Sequence, residues 1–164
     1  MNFTDYTTAW ANSEVLQAKI MIGIGALVLV AFISILKSEN ELLRGSLIPL
    51  GLLLVVLVGY GGYILYSRPA HAKESIALYQ KSPEEAVVQE TAKHINDNKA
   101  GKTLIRFFYP GIILISALVL LLVSSPFCKG MALGFILLAA SAYVIDSGFV
   151  SRSDAFIAFL ETIK

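Results

Sequence analysis

Four stretches of the chain carry almost no charge, and their lengths predict helices that cross a membrane. Residues 20 to 36 (IMIGIGALVLVAFISIL) are uncharged and reach about 26 Å as a helix, with Val15 to Lys19 able to extend it through the headgroups. Residues 45 to 67 run uncharged for about 34 Å, with Pro49 near the start, where missing donors are tolerated, and Arg68-Pro69 predicted as the stop. A third apolar run, 107 to 128, opens on Phe107, Phe108 and Tyr109 at the depth of an aromatic belt and should end at Ser124-Ser125-Pro126. The fourth returns over 130 to 150. Spans are thus expected at about 16–36, 45–67, 107–128 and 130–150 in a single membrane domain.

Between Arg68 and Arg106 the pattern inverts, with seven Lys or Arg, five Asp or Glu and both histidines in one polar segment. Ser82-Pro83-Glu84-Glu85 reads as a capping box with proline at the first helical position, predicting a helix from 83 to about 97 that stops at Asn96-Asp97-Asn98 before Gly101. Val88, Ala92 and Ile95 recur at helical spacing, so that face should rest on the bundle or the membrane surface. Ala72 to Lys81 reads as a shorter amphipathic turn or two. At the N-terminus, Asn12 or Ser13 is a plausible helix start, and Tyr6 and Trp10 suit an interface. Ser153-Asp154 can cap a short amphipathic C-terminal helix carrying Phe156, Ile157, Phe159 and Leu160.

The expected fold is therefore an all-α membrane protein, a bundle of four transmembrane helices in two hairpins with a helical connection between spans two and three. Composition agrees: 56% of the 164 residues are hydrophobic and 15% charged, where soluble domains carry about a quarter. Ten Lys or Arg fall on the side shared by the N-terminus, residues 68 to 106 and the C-terminus, against three on the other, which places both termini in the cytoplasm of a cell membrane, the bacterial inner membrane. A near-neutral balance, with 13 basic and 12 acidic residues, argues against nucleic acid as a partner, and the lone Cys128 excludes an internal disulfide.

Candidate chemistry is sparse. Asp146 is the one acid within an apolar span, an intramembrane polar site for proton or cation passage, or a boundary group pairing with Arg68, Arg106 or Arg152. His71 with Glu74 and Glu90 with His94 have spacings that share a helix face and offer a metal or polar site in the loop. Ala100-Gly101-Lys102-Thr103 ends like a phosphate-binding loop, but Asn96 stands where the first glycine is needed. Gly130 and Gly134 form a GxxxG, and Gly59 and Gly62 beside Tyr60, Tyr63 and Tyr66 mark a second small-residue face; both suit close helix packing in lipid. No catalytic motif and no cofactor are implied. Membrane lipids are the expected partners, with another membrane protein or self-association through span four. The leading expectation is a small multi-pass protein acting through protein or lipid contacts, as an accessory, regulatory or immunity-type factor. The alternatives are a homo-oligomeric channel or transporter subunit and a membrane enzyme acting on a lipid or quinone.

Overall fold

The computed structural model describes residues 2–163. They form five helices and, among the described residues, no strand: α1 (Phe3–Leu36), α2 (Glu41–Gly45), α3 (Leu47–Lys81), α4 (Pro83–Leu122) and α5 (Pro126–Thr162). The four long ones are apolar enough and long enough to cross a membrane. At about 1.5 Å per residue each measures about 50–60 Å, far more than the ~30 Å of a hydrocarbon core, so each has an apolar part and a projecting polar part.

The projecting parts meet in a helical head with its own core of Phe3, Trp10, Ala72, Ala86, Val87, Phe156 and Leu160. The apolar parts pack through Met21, Leu50, Leu53, Leu57 and Ile145, and through Tyr109, Ala139 and Ala142. Their outer surface stays open, with Leu27, Val55, Val144, Leu121 and Leu122 each more than two-thirds exposed. An apolar surface of that extent needs lipid or protein against it.

Several boundaries differ from the sequence expectation, and tertiary packing accounts for most of them. Helix α1 starts at the Asn2 cap, whose side chain accepts from the Asp5 amide at 2.8 Å, ten residues before Asn12. Tyr6 and Trp10 accordingly lie on α1 and pack in the core of the head. Pro69 sits inside α3 without ending it; a proline there costs about 3 kcal/mol, and burial of Ile64 and Ala72 along the same helix works against that cost. Gly101 does not stop α4. A side chain there would press on Val150 of α5, so this glycine permits a close helix approach. The third apolar helix ends at Leu122, and Pro126 to Cys128 open α5 behind the Ser125 cap. No separate C-terminal helix exists, because α5 is continuous to Thr162 and Ser153 and Asp154 are engaged by α4.

Ser82 holds the N-cap position of α4, yet its side chain makes no capping hydrogen bond, and Glu85 instead accepts from Gln89 at 3.1 Å. The inward face of α4 is Ala86, Val87, Glu90, Thr91, His94 and Asn98, leaving Val88, Ala92 and Ile95 exposed. Of the two seats expected for that face, the bundle is taken by the other side of the helix, held by a polar cluster described below.

Two π-helical turns interrupt the long helices, Val55–Tyr60 in α3 and Leu104–Phe108 in α4. The second lies directly before Pro110. There the Tyr109 amide bonds the Leu104 carbonyl five residues back, and the widened turn takes up the bonding disruption that proline causes in an α-helix. Gly130 and Gly134 pack within the chain, where side chains would overlap the Leu42 carbonyl and the Pro49 ring. Gly59 and Gly62 are not packed against another helix of the chain. With the π-turn ahead of it, α3 instead presents Gly61 to Ala18, Met21 and Ile22.

Candidate binding site where four helices meet

The buried face of α1 recurs at three- and four-residue steps through Phe3, Thr7, Trp10, Glu14, Ala18, Met21 and Gly25, so Glu14 is a carboxylate on a core stripe. It is 1% exposed. Arg152 of α5 donates from Nε to Glu14 Oε1 at 2.8 Å, and Arg68 of α3 places its Nε 3.3 Å from Oε2. Arg152 also donates to the Gln17 side chain, whose amide in turn donates to the Ile145 carbonyl at 2.9 Å. Burial raises the Glu14 carboxyl above its ordinary value, against the pull of Arg152 and Arg68.

A second cluster adjoins it. His71 of α3 lies 3.0 Å from Glu90 Oε2, and His94, one turn along α4 from Glu90, places its Nε2 3.5 Å from the same oxygen. Burial acts to raise the Glu90 carboxyl, but the two histidines overcome it and hold the group at about 2. On its other side His94 Nδ1 shares a 2.6 Å hydrogen bond with Ser153 Oγ of α5. Trp10 stands between the clusters, edge-on to His71 and His94, with the Arg68 guanidinium 5.2 Å from its ring centre.

Below these groups a cleft of about 460 Å³ opens between α1, α3, α4 and α5. Its wall combines polar groups of Glu14, Arg68, Lys93, His94, Asp97, Asn98 and Ser153 with Trp10, Tyr60, Tyr63, Leu104, Phe149 and Val150. Three nitrogens on this wall have no hydrogen-bond partner: Trp10 Nε1, His94 Nε2 and Arg68 Nε. His94 Nε2 lies within ion-pair range of Glu90 and Arg68 Nε within that of Glu14, but both lack hydrogen-bond alignment or reach. Partnerless buried donors are uncommon and call for a reason.

His71, Glu90 and His94 thus converge, while Glu74 takes no part in the cluster. Among the described residues no group of three or more His, Cys, Asp or Glu is arranged to hold a metal. Asp146 lines the cleft and accepts a 2.5 Å hydrogen bond from the Tyr109 hydroxyl; none of Arg68, Arg106 and Arg152 pairs with it. Trp10, Glu14, Arg68, Arg152 and Ser153 are the site residues that sequence reasoning passed over. Their signal was present, because Glu14 occupies a core position of the α1 stripe, where an unpaired charge is expensive.

Family models, curated proteins and solved structures give no match to the chain.

Proposed function

We propose that the chain is a four-span protein of the cell membrane with both termini and the helical head in the cytoplasm, and that it works through contacts: its cleft takes up a small amphiphilic molecule whose head presents oxygen acceptors. The observation that carries this reading is the gathering of three buried nitrogens, on Trp10, Arg68 and His94, none of them hydrogen-bonded within the chain and the last two held only in ion pairs, in the lining of a cleft that also presents aromatic and aliphatic side chains. Pockets of this kind, mostly apolar with a few convergent polar groups, are the usual form of small-molecule sites. The three nitrogens are closed off from water, so an acceptor reaches them by displacing a neighbour; Arg68, with 18% of its side chain exposed, is the freest to move. Exposed Val88 and Ile95 on the outer face of α4 supply a surface for a protein partner of the regulatory kind.

Trp10 is the one tryptophan in the chain and lies in the cleft wall, so its emission reports on occupancy. Titrating the full chain in detergent with oleic acid and with decylubiquinone should give a saturable change with at least one of them, reduced by Arg68→Met or His94→Phe. Absence of a saturable change with both probes, together with native mass spectra of membrane-extracted protein carrying no small-molecule adduct, sinks the reading.

A second reading, a membrane enzyme acting on a lipid ester, is favoured by the 2.6 Å Ser153 to His94 hydrogen bond with Glu90 on the far side of the imidazole. Covalent labelling of Ser153 by a fluorophosphonate, lost in His94→Phe, would support it. An unlabelled protein that still binds either probe leaves the contact reading alone.

A further inference from the structure

A second groove lies on the opposite side of α4, and its chemistry differs from that of the cleft. Over a volume of about 460 Å³ it is lined by Lys99, Lys102 and Arg106 of α4, by exposed Phe107, and by Asp154 and Ile157 of α5. The three basic residues recur at i, i+3 and i+7, within one face of the helix. They end where the charge-free run 107 to 122 begins. Asp154 is the one acid in the groove, and it is already engaged by Lys102 at 2.8 Å and by the Asn98 amide at 2.8 Å. Lys99 and Arg106 have no carboxylate within ion-pair distance among the described residues; the Arg106 guanidinium rests instead on the Phe107 ring, 5.4 Å from its centre.

We infer that this groove holds the headgroup of an anionic phospholipid of the cytoplasmic leaflet, the phosphate among Lys99, Lys102 and Arg106 and the acyl chains descending past Phe107. The inference rests on the membrane reading above and not on the cleft. Charge complementarity selects the occupant: three cations against one committed acid favour a head with net negative charge, and the aromatic and aliphatic floor suits a molecule continuing into hydrocarbon. Basic residues at a membrane surface each favour anionic lipid. Grooves between spanning helices on the cytoplasmic side add a fixed geometry to that attraction.

The test is native mass spectrometry of the full chain in detergent, titrated separately with dioleoyl phosphatidylglycerol and dioleoyl phosphatidylcholine. The expected result is retention of phosphatidylglycerol at about tenfold lower concentration than phosphatidylcholine. The pair Lys99→Gln and Arg106→Gln should erase this preference with phosphatidylcholine retention unchanged, and Lys99→Arg with Arg106→Lys should restore it. Lys99→Gln alone, at an exposed position, should weaken the preference even if the double variant fails to fold. Equal retention of the two lipids by the native chain, or a preference that survives Lys99→Gln with Arg106→Gln, overturns the inference. Extraction of the native chain from membranes by alkaline carbonate would instead sink the membrane reading. His94→Phe, which tests the cleft, should leave phosphatidylglycerol retention as it is.

Discussion

Glu14 Oε1 and Arg152 Nε, 138 residues apart in sequence, meet at 2.8 Å in the interior of the head and tie the first helix to the last. Because the carboxylate is sealed from solvent and a second guanidinium, Arg68, approaches it at 3.3 Å, removing the acid strands two cations. Breaking one partner of a buried ion pair costs about 3–5 kcal/mol. Glu14→Ala is therefore expected to lower stability by about that amount, read as a fall in the thermal midpoint followed by Trp10 emission in detergent. Glu14→Leu combined with Arg152→Met should be milder than the sum of its parts, since it removes both charges together. Additive losses would show that the two side chains do not act as a pair.

The acid limb of stability is expected to trace to Glu90. Its carboxyl is held at about 2, below the ordinary 4.5, so the unfolded chain takes up a proton before the folded one does. This contribution is fully present above pH 4.5 and is lost as pH falls toward about 2, a difference of about 3 kcal/mol. Glu90→Gln should lower the midpoint at neutral pH and flatten the profile between those limits. A variant whose acid limb matches that of the native chain would show that His71 and His94 do not hold this carboxylate.

How legible all this was in the sequence depends on the range of the interaction. The apolar runs mark four helices because each run, with its flanking residues, reaches the length needed, and the inversion at Arg68 marks the polar segment. Helix ends were harder to read. Pro69, Gly101 and Ser153 have strong local preferences for stopping or capping, yet each lies within a continuous helix because contacts with distant residues outweigh a few kcal/mol of local cost. The cleft was least visible, since its wall draws Trp10 and Glu14 from α1, Arg68 from α3, His94 from α4 and Ser153 from α5, with no local spacing to link them. His71, Glu90 and His94 stood out as titratable residues, but their meeting at a single oxygen, with Glu74 left aside, depends on how α3 lies against α4.

Glycines separate into two groups with opposite expected responses. A side chain on Gly130 would overlap the Leu42 carbonyl and one on Gly45 would overlap the Phe127 carbonyl, both backbone atoms that cannot turn aside. Gly23 and Gly62 face open space. Gly130→Ala and Gly45→Ala should each destabilise by about 1–3 kcal/mol through overpacking. By contrast, Gly62→Ala should be neutral or stabilise by up to about 1 kcal/mol through helix propensity. Equal midpoints across the three variants would remove the close contact between α2 and the start of α5.

Tyr109 and Asp146 provide the sharpest division between a structural and a transport role for the acid in the fourth apolar helix. The phenol donates to Asp146 Oδ2 at 2.5 Å, and an asparagine at position 146 retains an oxygen able to accept that bond. If the pair is structural, Asp146→Asn should cost less than about 1 kcal/mol, whereas Tyr109→Phe, which leaves a part-buried carboxylate without its donor, should cost about 1–3 kcal/mol. A transport role makes the opposite demand. Proteoliposomes bearing the native chain would then show a cation or proton flux that Asp146→Asn abolishes, while Tyr109→Phe, which keeps the ionisable group, retains part of it. The hydrogen bond to Tyr109 favours the structural outcome: no flux from the native chain, and a larger fall in midpoint for Tyr109→Phe than for Asp146→Asn.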